Sequence, residues 1–171
     1  MWKRAVKSTV LVAILSTTAL QFVPGPKRSN PPVVAGQSLF DKAVVPRHVQ
    51  DVLRRSCMDC HSNETRWPWY SHIAPLSWGV TSDVARARRA INFSEWAVQA
   101  GRTPATAAGT LMAMCAGVSS GRMPPEKYTL LHGQARLTAQ QREAVCEWAH
   151  AETRRQIAAN KKLRILRTKR D

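Results

Sequence analysis

The sequence predicts an all-α domain, and three observations carry that reading. Four segments place apolar residues at the three-and-four spacing of a helix face. No run alternates apolar and polar residues at a two-residue period, and no hairpin turn joins such runs. The chain of 171 residues is 44% hydrophobic, which is enough for one compact core and too much for wholesale disorder. Its 22% of charged residues argues against a polytopic membrane protein. No internal repeat is visible.

Residues 1–24 read as a signal peptide or membrane anchor. Lys3, Arg4 and Lys7 precede an apolar stretch over 10–23, softened by Ser16, Thr17 and Thr18 and closed by Pro24, Gly25 and Pro26. A basic start and a short hydrophobic run are the pattern of export. The run is shorter than the roughly 20 apolar residues a comfortable span needs, which favours cleavage, with Ala19 a poor position for it. No clean small-x-small site follows, so an uncleaved anchor stays open. Either route places the body in an oxidising compartment, the periplasm, soluble or held to the inner membrane.

Residues 25–32 form a stiff linker, since Pro26, Pro31 and Pro32 forbid a helix. The domain proper is expected over 33–150. From Pro46 to about Cys60, Val49, Val52 and Leu53 recur at helical spacing while Gln50, Asp51, Arg54 and Arg55 face away. A second helix runs from Pro75 to about Ala90, burying Trp78, Ala85 and their neighbours. A third starts near Thr103 and Pro104, carries Leu111, Met112, Met114, Cys115 and Val118, and ends at Ser119, Ser120 and Gly121. The fourth opens on a capping box, Thr138 with Gln141 three residues on, and turns Val145, Trp148 and Ala149 to one face.

The net charge of +15 is unevenly placed. Residues 1–30 hold five basic residues and no acid; residues 151–171 hold eight against two; the body between has 13 against 9. Two basic ends therefore flank a nearly ordinary body, which speaks against nucleic acid as a partner. In the basic C-terminal tail, 151–171, Lys161, Lys162, Arg164, Arg167, Lys169 and Arg170 interleave with Leu163, Ile165 and Leu166. Such a run is a solvated tail, a helix lying on an anionic membrane surface, or a handle for an acidic redox partner protein.

The chemistry is concentrated at 57–61. Cys57, Met58, Asp59, Cys60 and His61 spell C-x-x-C-H, the attachment sequence of c-type haem. At this composition the motif arises by chance in roughly 0.3% of chains, so coincidence explains it poorly. Two thiols three residues apart reach the two vinyl groups of one porphyrin, and the next imidazole is carried under the iron. Zinc is the chemical rival, but a structural zinc site wants four ligands and no second pair exists. A redox pair lacks its βαβ context, and an ordinary disulfide is the remaining alternative.

For the iron's other face, Met123 lies in Gly-Arg-Met-Pro-Pro, a loop stiffened by two prolines. A thioether raises the potential of a His-ligated haem and suits electron transfer. Core packing is the plain reading of a methionine, and it applies to Met112 and Met114. His72 and His132 are fallback sixth ligands, whereas His48 and His150 read as exposed helix positions.

Four of the six tryptophans, Trp67, Trp69, Trp78 and Trp96, fall within 30 residues. That concentration fits walls around a large flat ligand or a plain hydrophobic core, and Trp67, Trp69 and Trp78 are taken as candidate haem contacts. Asn63, Asn92, Tyr70 and Trp67 are candidates to bond propionates or the proximal loop. A carbonyl accepting from the non-ligating nitrogen of His61 is expected from the loop holding Pro68 and Pro75. Cys115 and Cys146, on the third and fourth helices, pair as a disulfide or stay as buried thiols.

The run over 57–78, together with 91–96, 121–128 and 137–148, resembles the bacterial haem-binding domain family of exported, cytochrome c-like proteins. The resemblance covers roughly 30–150; Cys57, Cys60, His61 and Met123 match its pattern, and the basic tail lies outside it. It implies a single covalent haem c and a cytochrome c-like helical domain built around it. The expected activity is one-electron transfer by an exported monohaem protein that is not itself an enzyme. A peroxidase-like haem enzyme, or a gas or redox sensor with a displaceable sixth ligand, is the alternative.

Overall fold

The computed structural model describes residues 2–100 and 102–168. Its helices are α1 (Trp2–Leu20), α2 (Leu39–Lys42), α3 (Arg47–Ser56), α4 (Met58–His61), α5 (Leu76–Ala90), α6 (Trp96–Gln99), α7 (Pro104–Ser119), α8 (Glu126–Leu131) and α9 (Ala139–Thr168). Short 3-10 turns add Trp69–His72, Phe93–Glu95 and Gly133–Ala135. Among the described residues there is no strand, so the all-α reading holds.

The main helix pair is α7 with α9. Ala107, Leu111, Met114 and Val118 line the buried side of α7 at helical spacing, and Val145, Trp148 and Ala149 answer from α9. Val49, Val52 and Leu53 of α3 complete this core with Leu39, Phe93 and Trp96. Each fully buried leucine or valine contributes about 1.5–3 kcal/mol of transfer free energy. Reciprocal caps open the two long helices: the Thr103 hydroxyl accepts from Thr106 N at 3.1 Å, and that of Thr138 from Gln141 N at 3.2 Å. Cys115 and Cys146 are joined as a disulfide, which staples α7 to α9.

Three expectations change. The first helix does not run through to Cys60: it stops at Ser56, Cys57 takes φ −125° and ψ −37°, and α4 starts afresh. The amides of Cys60 and His61 both turn back to the Cys57 carbonyl, at 3.1 and 2.9 Å. Next, α5 buries Thr81 and Val84, while Trp78 and Ala85 are only half-buried. Its inward face is largely polar, so apolar spacing did not reveal it. Finally, α9 continues unbroken past residue 150. Glu152 takes the next inward position after Ala149 and is 2% exposed, its carboxylate held by Arg155 Nε at 2.6 Å and Gln156 Nε2 at 2.8 Å. A glutamate at a core-facing position hid the continuation. The side chains after Lys161, and residues 169–171, lie outside the described residues, and with them most of the basic interleave of the tail.

At the other end α1 buries no residue, and no helix among the described residues is long and apolar enough to cross a membrane. Residues 25–32 are non-helical, as their prolines require, yet they are not free of the domain. Gly25 lies against Trp78 so closely that a Cβ there would come within 2.2 Å of the indole.

Candidate functional site

The break at Cys57 is what builds the site. It places Cys57 at the hinge between α3 and α4, with Cys60 and His61 on the single turn that follows. Both thiols are free and partly buried. Burial pushes the Cys57 thiol up to about 12 and that of Cys60 up to about 11, the latter with help from the Asp59 charge. Both are therefore neutral thiols at physiological pH.

The His61 ring lies 5.9 Å from that of Phe93, nearly parallel at 27°. Its Nδ1 is 3.0 Å from the Ile91 carbonyl. A carbonyl only accepts, so Nδ1 carries the proton and the Nε2 lone pair is left for a metal. Burial holds the imidazole below its ordinary pKa, and hydrogen bonds to the Ile91 and Ala87 backbone only partly oppose this. The carbonyl thus comes from the end of α5, not from the loop holding Pro68 and Pro75. That loop is turned instead toward the linker and α8.

Around this turn the polar residues form a brace. Asn63, 2% exposed, receives Asn92 Nδ2 at 2.8 Å, gives its own Nδ2 to Glu95 at 3.0 Å and its backbone N–H to Ser94 at 3.0 Å. Of the two roles open to Asn63 and Asn92, the structure shows them bonding the proximal loop. Arg88 spreads one guanidinium over four acceptors: Ser62 O at 2.7 Å, Ser29 O at 2.8 Å, Thr65 Oγ1 at 2.8 Å and Asn30 Oδ1 at 3.0 Å. The residue next to His61 is thereby tied both to α5 and to the linker.

Met123 lies in the loop between α7 and α8, 40% exposed. Its amide donates to Gly117 O at 3.0 Å, and its side chain lies over Gly117, where a Cβ would meet Met123 Cγ at 3.4 Å. Following it, α8 is tied to the cysteine turn: the Tyr128 hydroxyl donates to Asp59 Oδ2 at 2.8 Å. Tyr128 stacks on His132 at 4.4 Å, and His132 Nε2 shares a hydrogen bond of 2.8 Å with the Tyr70 hydroxyl. His132 is thus engaged by both tyrosines of the chain, and His72 is exposed.

The tryptophans separate. Trp96 is core; Trp67 donates to Asn30 Oδ1 at 3.1 Å; Trp78 lies under Gly25; Trp69 is 74% exposed, edge-on to Tyr70 at 5.8 Å. The aromatic ring beside His61 is Phe93, which the tryptophan count did not single out. Asp59, Tyr128 and Arg88 were also missed. Asp59 reads as a mere spacer in the motif, and no local pattern marks the other two.

Among the described residues no three His, Cys, Asp or Glu side chains are disposed to hold a metal ion. Two neutral thiols and an imidazole presenting Nε2, all on one turn, suit a flat metal-bearing macrocycle. Trp69, Ile73, Leu76, Met123, Leu130 and Leu131 are exposed apolar side chains, of the kind such a ring covers. Comparison with curated proteins and with solved structures finds no match. The model of the haem-binding domain family, however, matches residues 15–151, four fifths of the chain, and the protein belongs to that family.

Proposed function

We propose that the chain is an exported monohaem c-type protein that transfers single electrons. The observation that carries this is the turn over 57–61, where Cys57, Cys60 and a His61 fixed in its Nδ1–H tautomer stand in the C-x-x-C-H pattern. When bound, haem supplies a one-electron ferric/ferrous couple. Cys57 and Cys60 would hold the porphyrin by thioethers, each formed by adding an S–H across a vinyl group, the sulfur to one carbon and the hydrogen to the other. His61 Nε2 would ligate the iron. Ile91 O holds that ring's orientation and raises its basicity, and Phe93 fixes its plane. Met123 would supply the iron's second protein ligand, a neutral, soft thioether that favours the reduced state.

On this reading no substrate is transformed and the chain is not an enzyme. Residues 1–24 direct export, and the partners are acidic redox proteins, with an anionic membrane surface open to the basic tail and no nucleic acid. The test is expression with haem-attachment machinery, then denaturation, mass and spectrum. The expected mass is that of the chain plus one haem, with the far-red iron-to-thioether band in the folded ferric protein. Met123→Ala should abolish that band and leave attachment intact. A mass without haem removes the proposal.

A further inference from the structure

We infer that Tyr128, held by Asp59, is a positioning residue for the sixth ligand: the two form a latch that fixes the Met123 loop relative to the haem-attachment turn. This inference rests on the reading of Met123 as an iron ligand.

The geometry is specific. Asp59 is the second spacer of the C-x-x-C-H motif, and both its carboxylate oxygens are engaged. Oδ1 accepts from Arg66 Nε at 3.2 Å and from the Arg66 amide at 3.3 Å, and Oδ2 accepts from the Tyr128 hydroxyl at 2.8 Å. One residue earlier on α8, Lys127 Nζ meets Asp83 Oδ2 of α5 at 2.5 Å. Adjacent residues of α8 thus tie it to the cysteine turn and to the helix behind it. At the end of α8, His132 stacks on Tyr128 and shares a hydrogen bond of 2.8 Å with the Tyr70 hydroxyl, a third tie.

These ties matter because α8 has little else to hold it. It is six residues long, too short to be stable alone, and of its side chains only Thr129 is buried, while Leu130 and Leu131 are 69% and 66% exposed. Met123 lies three residues before Glu126, and the two positions between are prolines. Their fixed φ makes the connection stiff, so a movement of α8 reaches Met123 instead of being absorbed on the way. From the other side the Met123 amide is pinned to Gly117 O on α7. The thioether is therefore suspended between α7, stapled into the core, and α8, held by side-chain ties.

Tyr128→Phe removes the hydroxyl and keeps the stacked ring. Losing a hydrogen bond to a charged group shifts the ligated-to-free ratio by about tenfold or more. The haem-loaded variant should keep its covalent mass, lose most of the far-red band and bind carbon monoxide in the ferrous state at least about tenfold faster. Asp59→Asn keeps an oxygen acceptor for the tyrosine and should retain the band, whereas Asp59→Ala should lose it. Amide exchange over 121–131 reads the latch independently of ligation. Lost protection in Tyr128→Phe, with a wild type that shows no band, upholds the latch and defeats the Met123 reading. A wild-type band that Tyr128→Phe leaves unchanged, with unchanged protection and carbon monoxide rate, overturns the latch.

Discussion

At the scale of the residue, the site divides into groups the sequence announces and groups it conceals. On the proposed reading, Cys57, Cys60 and His61 are legible because attachment of one macrocycle demands a fixed linear spacing, which any chain must write out in order. Their supports follow no such rule. The Ile91 carbonyl lies 30 positions from His61, and Arg88 lies 26 from the Ser62 carbonyl it holds. Only the fold brings them together. Arg88 shows what such a support contributes. Ser62 is fully buried, and with Arg88→Ala its carbonyl loses a charged donor while Thr65 and Asn30 lose theirs. The expected cost is about 2–3 kcal/mol, read as a lowered midpoint in urea denaturation. Arg88→Lys should recover only a small part, because one ammonium cannot reproduce a planar fork over four acceptors. Equal midpoints for the wild type and both variants would show that the fan of bonds is decorative.

At the scale of the element, α3, α7 and the first half of α9 were legible because each carries an apolar stripe at helical spacing. The span of α5 was also read correctly, while the turn of α4 and the inward face of α5 were misread for physical reasons. The turn of α4 carries the thiols and the imidazole, so its interruption of the helix follows from tertiary demands that propensity does not encode. The face of α5 is polar because it bonds the proximal loop and the linker. The staple between α7 and α9 is the third element-scale feature, and an even cysteine count left it open until the structure joined Cys115 to Cys146. The bridge closes a loop of 31 residues, which in the loop-closure estimate stabilises by about 3–4 kcal/mol. Because α7 is also what pins the Met123 amide, reduction should lower the melting temperature and weaken the far-red band together. A reduced protein that melts and absorbs as the oxidised one does would rule out that role.

At the scale of the whole molecule, the linker is where sequence and structure diverge most informatively. Prolines and glycine in 25–32 mark a segment that cannot be helical, and a non-helical segment before a domain reads naturally as a tether. The structure makes it a strap. Ser29 and Asn30 are gripped by Arg88, Asn30 also bonds Trp67 and the Thr65 carbonyl, and Arg28 reaches the Ser71 carbonyl. Upstream, Gln21 pairs with both backbone groups of Ala74, at 3.0 and 3.1 Å. The strap thus runs along the loop from the cysteine turn to α5, and the family match, which begins at residue 15, spans it. Two truncations separate strap from leader. Removal of 1–24, the proposed export segment, takes away the two Gln21 bonds and should cost about 2 kcal/mol, at about 1 kcal/mol for each net hydrogen bond. Removal of 1–32 takes away five further bonds, those of Arg28, Ser29 and Asn30, and at the same rate should cost on the order of 5 kcal/mol more. Loop 62–75 should then become the first site of proteolytic nicking. Truncations that melt alike, with equally protected loops, would return the segment to a tether. The expected difference would mean that processing near Ala19 releases a leader while leaving intact the strap that holds the residues following His61.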